Sequence, residues 1–164
     1  MPEKETVERA HKAAHEGKAP TTQAGEFVRE EIHHVREGKH GARSAKQAVA
    51  IGLSKARRAG VKLPPPKRGT TSKRTRRQAT RDLAKGRAKT KRASTRRSRA
   101  VTKALRREGR SAASPRALAR QGRKTARQRT AAQRSASARK AVRTKGPRAR
   151  SAAAKKAART RARR

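Results

Sequence analysis

Ser44-Ala-Lys-Gln-Ala-Val-Ala-Ile-Gly-Leu-Ser-Lys-Ala-Arg-Arg-Ala-Gly60 reads as one complete helix with both of its ends written in. Ser44 is placed as N-cap, the helix runs to about Ala59, and Gly60 follows as the left-handed residue that stops it. Ala45, Ala48, Val49, Gly52, Leu53 and Ala56 fall on one narrow apolar strip, and its small members permit a close approach by a neighbouring helix. Working outward, the preceding helix is expected from about Gly25 to Glu37, where Val28, Ile32 and Val35 recur at i, i+4 and i+7 beside Phe27. Gly38 ends it, and Gly38–Gly41 is the short connection that an antiparallel helical hairpin needs. A first helix is expected from Glu3 to Glu16, with acids in its first turn, Gly17 as its stop and a thin stripe of Val7, Ala10 and Ala14. Packing the second helix on the third would bury Phe27, Ile32, Val35, Val49, Leu53 and Leu63. At about 1.5–3 kcal/mol for each side chain, before ordering entropy, such a hairpin is marginal alone and calls for a dimer or a ligand.

The rest of the chain has a different composition. Of 164 residues, 51 are Lys or Arg and 10 are Asp or Glu, a net charge of +41, and there is no Cys, Trp or Tyr. Leu, Ile, Val and Phe together make up only about 9% of the chain, below the roughly 20% at which high net charge implies disorder. The charge is split at Leu63. Residues 1–63 carry 13 basic and 8 acidic side chains, whereas residues 64–164 carry 38 basic ones against Asp82 and Glu108 alone. Pro64-Pro65-Pro66 marks the junction, since a proline triplet stops a helix and stiffens the chain. The expected fold class is therefore mainly α with extensive disorder. A small helical hairpin or three-helix module fills residues 1–63, best defined over 25–60. A proline junction at 64–66 then leads to a low-complexity cationic tail, 67–164, that is able to become helical when bound, as over Ala100–Arg107 and Arg116–Arg143.

The run Glu37-Gly-Lys-His-Gly-Ala-Arg-Ser-Ala-Lys-Gln-Ala-Val-Ala-Ile-Gly-Leu-Ser-Lys-Ala-Arg-Arg-Ala-Gly60 resembles a small bacterial domain of unknown function. The hallmark of that domain is Lys-Gln-Ala-Ile/Val-Ala-Ile-Gly-Leu-Ser-x-Ala-Arg-x-Ala-Gly. The resemblance implies no activity. The tail is similar in composition to the Ala/Lys/Arg-rich arms of linker-histone-like bacterial nucleoid proteins.

Charge of this kind points to a polyanion. Duplex DNA presents about one negative charge per 1.7 Å of axis, and cations that meet phosphates release counterions. The near absence of aromatic rings removes the base stacking on which single-strand and RNA-recognition modules rely, so duplex DNA is favoured and structured RNA is the alternative. The candidate phosphate-binding residues are Arg57, Arg58, Lys67, Arg68, Lys73, Arg74, Arg76, Arg77, Lys91, Arg92, Arg96, Arg97, Arg106, Arg107, Arg123, Lys124, Arg139, Lys140, Arg148, Arg150, Lys155 and Lys156. For Arg57 and Arg58 the alternative role is to complement the end of the third helix. Lys145-Gly146-Pro147-Arg148 only partly matches an A/T-hook core, and Ser114-Pro115-Arg116 is either a histone-tail-like turn or an ordinary one. The expected function is non-sequence-specific DNA coating or compaction of the nucleoid type, or failing that an RNA-packaging or ribosome-assembly role.

Other functions find little support. His11 and His15 stand at i, i+4 and His33, His34 and His40 follow, but with no Cys a zinc site would need carboxylates such as Glu16 or Glu37. Scattered solvated histidines are the plainer reading, so no metal and no cofactor is expected. There is no Gly-x-Ser-x-Gly elbow and no phosphate-cradling Gly-x-x-x-x-Gly-Lys-Ser/Thr loop, so an enzyme with a small-molecule substrate is not expected. No run approaches the 18 apolar residues of a membrane span, and the acidic start does not read as an export or transit signal. The expected location is the cytoplasm, on the bacterial nucleoid, with a homodimer through the N-terminal helices as a compatible assembly.

Overall fold

In the computed structural model, described for residues 2–88 and 94–163, the three expected helices are α1 (Lys4–His15), α2 (Pro20–Glu37) and α3 (Ala45–Arg58). Helix α2 begins five residues earlier than expected because Pro20 sits at its first position, where a fixed φ and a missing N–H do no harm. Ser44 caps α3 as anticipated, accepting from the Gln47 N–H at 3.2 Å. The helix ends share one chemistry. After α2, Gly38 takes a φ of 79°, so that its N–H reaches the Val35 carbonyl (3.3 Å) while that of Lys39 reaches His34 (3.0 Å). After α3, the N–H groups of Gly60 and Val61 bond the carbonyls of Arg57 and Ala56 in the same way, both at 3.1 Å. Gly17 and Lys18 repeat the pattern behind α1. His15-Glu-Gly-Lys18 and Arg36-Glu-Gly-Lys39 thus end their helices in the same way.

Two clusters hold these helices together. Ala10, Ala24, Phe27, Ala56, Val61 and Leu63 form the first, flanked by Val7, Leu53 and Ala59. The second joins Ile32, Val35, Ala42 and Ala48 to Ala112 and Ala113, flanked by Val28 and Leu118. Helices α2 and α3 cross closely at Gly52, where a Cβ would stand 2.7 Å from the Val28 Cα. Val49, expected in the core, is only half-buried, and on α1 the buried face is Thr6, Ala10 and Ala13, so Ala14 points outward.

The boundary at Pro64–Pro66 needs correcting. Beyond it lie α4 (Lys73–Arg87), α5 (Thr95–Arg106), a 3-10 turn (Ser111–Ala113), α6 (Pro115–Arg127) and α7 (Ala131–Ala162). Residues of the expected tail return to the N-terminal helices. Helix α4 packs on α3, and the 3-10 turn on α2 and α3. The Gly41 and Ala42 N–H groups bond the carbonyls of Leu105 (2.9 Å) and Gly109 (3.1 Å). The proline triplet is therefore a spacer inside the first of two compact units, Met1–Gln121 and Gly122–Arg164. The physical reason is that alanines bury well where backbones come close. Ala79, Ala112 and Ala113 are at most 5% exposed, yet none would register in a count of large aliphatics. Part of the hairpin's surface is thus covered by the chain's own later segments.

The expected disorder from residue 67 onward is corrected too, since residues 100–107 and 116–143 are largely helical here. In the second unit, Thr130 and Gln133 form a reciprocal capping box at the start of α7. The helix kinks at Gly146, where φ is 65° and ψ 168°, and Pro147 opens its second half. The Lys145–Arg148 run is this kink. No residue of α7 is buried, so its helicity rests on the Ala, Arg, Lys and Gln propensities that compete with repulsion between like charges.

Candidate nucleic-acid interface

Helix α4 is built as a two-faced element. Its inner face carries Ala79, Asp82 and Gly86. A Cβ on Gly86 would run into the Arg57 carbonyl, so the glycine permits the close contact with α3. Asp82, 1% exposed, accepts from Ser54 Oγ (2.6 Å), Arg58 Nε (2.7 Å) and Gln78 Nε2 (3.0 Å). With its inner face fixed, the helical register sends Arg74, Arg77, Arg81 and Lys85 to the opposite side, about one cation per 5.4 Å turn. All four are exposed, and among the described residues none of them is in an ion pair. Helix α5 repeats the device with Arg96, Arg99, Lys103, Arg106 and the following Arg107, all exposed. Ser98, Arg99, Thr102, Lys103, Arg106 and Arg107 line an open hollow along it.

The remaining candidates divide by location. Lys67 and Arg68 are exposed in the turn before α4. Lys73, Arg74 and Arg77 are exposed on that helix, and Arg76 is half-buried. Arg97 is exposed on α5, while Lys91 and Arg92 lie outside the described residues. Arg123 and Lys124 on α6, and Arg139, Lys140, Arg148, Arg150, Lys155 and Lys156 on α7, are exposed. From Gly122 to Arg164 the sequence has 17 basic residues and no acidic one. The cations of α7 surround the helix rather than forming a stripe, so any side of it can meet phosphate.

Arg57 is a correction, and Arg58, which keeps half of its side chain exposed, is tied to the fold as well. Arg57 is buried, and its guanidinium donates to the carbonyls of Leu63 (3.2 Å) and Pro64 (3.3 Å), folding the proline segment back on α3. Burial lowers its pKa, a cost offset in part by the charge of Asp82. Arg58 is half-exposed but bonded to Asp82. Both hold the fold together. Arg81, Lys85, Arg99 and Lys103 are functional candidates that the sequence reading did not single out. The signal that could have found them was the i, i+3, i+7 spacing of cations opposite a face of small residues.

The histidines correct a second expectation. His11, His15 and His33 are exposed, but His34 is buried on α2 and His40 is half-buried in the connection to α3. Their rings meet edge to face with centroids 6.1 Å apart. Glu31, fully buried, lies one turn before His34. Its Oε1 is 3.3 Å from His40 Nε2 and its Oε2 is 2.7 Å from Lys55 Nζ. Lys55 also donates to Glu30 Oε1 at 3.2 Å. Glu3, bonded to His34 and Lys39, is lowered to a pKa of about 2.

This geometry defines a small all-helical unit with cationic outer faces, followed by a wholly cationic helical segment. Residues 5–68 match a family described as Family of unknown function (DUF6496). The match takes in α1, α2, α3 and the proline spacer, and is consistent with the resemblance carried by Glu37–Gly60. No curated protein and no solved structure matches the chain. No described helix is long and apolar enough to cross a membrane.

Proposed function

We propose that the protein binds duplex DNA without sequence preference, coating or compacting it as a nucleoid-associated, histone-like component of a bacterial cytoplasm. The observation that carries this reading is the outward stripe Arg74–Arg77–Arg81–Lys85 on a helix whose other face is locked to α3 through Asp82. Cations held on a fixed scaffold lose less freedom on meeting phosphates than cations on a coil. Arginine supplies most of them, and its planar fork grips phosphate oxygens in pairs. The stripes consist of Arg and Lys, donors without an acceptor beside them to discriminate one base edge from another in combination, so phosphate contact supplies affinity and leaves specificity low. Attraction at a distance comes from the net charge of +41.

The test is a titration of duplex DNA at several salt concentrations, with ribosomal RNA as competitor. The expected result is a steep linear fall of log affinity with log salt and a preference for the duplex. Preference for the RNA would replace this reading with RNA packaging. Weak binding insensitive to salt would reject both.

A further inference from the structure

We propose that Glu31, His34 and His40 form a binding site for a divalent transition-metal ion of the zinc type, held between α2 and the connection to α3. One ligand atom from each of these residues lies within 4.8 Å of the others. Glu31 and His34 share a face of α2 at i, i+3, and His40 is returned to them by the turn at Gly38. The protonation of both rings is fixed by their partners. His40 Nδ1 is 3.1 Å from the Gly41 carbonyl, which only accepts, so this nitrogen carries the hydrogen. His34 Nε2 is 2.8 Å from Glu3 Oε1, which also accepts from Lys39, so Nε2 is the donor there. In the neutral rings the lone pairs are left on His40 Nε2 and His34 Nδ1. His40 Nε2 faces Glu31 Oε1 at 3.3 Å, and His34 Nδ1 faces Glu30 Oε1 at 4.0 Å. With these partners at the far nitrogens, the near nitrogens of both rings face the carboxylate-lined side of the cluster, which is where a cation would be held.

Lys55 does not supply enough of it. Its ammonium is engaged by Glu31 Oε2 and by Glu30, so one cation stands against two buried carboxylates. Neither Glu31 oxygen receives a hydrogen bond of good geometry among the described residues. A divalent ion would take one nitrogen from each ring and a Glu31 oxygen at once. The surroundings have the form of a metal site, because each imidazole is oriented through its far nitrogen by a carboxylate or a carbonyl. Two imidazoles and one carboxylate are a donor set that suits zinc, with room for a further ligand such as water.

The experiment uses the full-length chain, stripped with a chelator and titrated with zinc against a chromophoric competitor. Cobalt(II) absorption reports the coordination. One ion per chain is expected, with absorption bands of a low-coordinate N/O site. His40→Gln, in a connection rather than a helix, is expected to weaken binding by more than the roughly 10–100-fold that an outer partner commands. Glu3→Gln is expected to fall within that range. The triple variant His11→Asn/His15→Asn/His33→Asn, which removes the exposed rings, is expected to bind as the parent does. Circular dichroism of each variant shows whether it is folded, and His40→Gln decides the matter where Glu31→Gln is not. Stoichiometric binding that His40→Gln leaves intact, or that the triple variant abolishes, would overturn the proposal. So would the absence of stoichiometric binding, which would leave the cluster as a purely structural contact between α2 and the connection to α3.

Discussion

Gly52 and Asp82 show how single residues set this fold. Replacing Gly52 by Ala gains roughly 1 kcal/mol of helix propensity. The new Cβ, however, would meet the Val28 Cα at 2.7 Å and the Phe27 carbonyl at 3.0 Å, both backbone atoms that no rotamer change can clear. Helices α2 and α3 must move apart, and overpacking of this kind costs about 1–3 kcal/mol. The expected net effect is a loss of about 1 kcal/mol, read as a lower midpoint in urea unfolding. Asp82→Ala leaves Ser54, Arg58 and Gln78 without their shared acceptor. Because Arg58 is half-exposed and can turn to water, the expected cost is about 1–3 kcal/mol rather than that of a fully buried pair. Faster hydrogen exchange over residues 73–87, with 20–37 unchanged, is the signature that separates release of α4 from global unfolding. Asp82 was visible in the sequence only as one of two acids in a basic run. Its isolation there was the clue, since an acid among so many cations has to have a reason.

At the scale of elements, what could be read in advance was what has a local cause. Helices α1 to α3 announced themselves through Ser44, the glycine stops and the spacing of Val28, Ile32 and Val35; the caps and stops operate as read, while of the stripe Ile32 and Val35 are buried, Val28 is only half-buried, and the neighbouring Phe27 goes fully into the core. Helix α4 and the 3-10 turn did not, because they are held by alanines and one aspartate, helped by backbone bonds from Gly41 and Ala42 to Leu105 and Gly109 just ahead of the turn, none of which leaves an apolar periodicity. The metal candidate was hidden for the same reason. His34 and His40 are brought together by the turn at Gly38, and sequence spacing alone does not show that Glu31 lies beside both. A truncation follows directly. A chain ending at residue 66 keeps α1–α3 but strips the covers from α3 and from Ile32, Val35 and Ala48. A chain ending at 121 keeps them. The shorter chain is expected to melt at least about 4 °C below the longer one, the shift that follows from losing more than 1 kcal/mol in a domain of this size. Equal midpoints in thermal circular dichroism would mean that α4 and the 3-10 turn add no stability.

For the molecule as a whole, the question is how the binding work divides between the two units. Residues 1–121 carry 34 basic and 10 acidic side chains and residues 122–164 carry 17 basic ones and no acid, so under the proposed function both units would contribute. They differ in what the cations stand on. In the first unit α4 presents a stripe on a packed scaffold, whereas α7 presents cations on every side of a helix that buries nothing. Each phosphate contact adds about 0.9 to the slope of log affinity against log salt, and 6–10 contacts imply a loss of about 10³–10⁵ in affinity between 50 and 200 mM salt. If the stripe on α4 makes contact as a unit, replacing Arg74, Arg77, Arg81 and Lys85 with Gln lowers the slope of the full chain by about 3 to 4. The same change in the chain ending at 121 should lower its slope by the same amount, because the second unit binds additively. Fluorescence anisotropy with a labelled duplex measures all four slopes. A reduction seen only in the shorter chain would show that residues 122–164 substitute for α4 when it is neutralised, and an unchanged slope in both would remove α4 from the interface altogether.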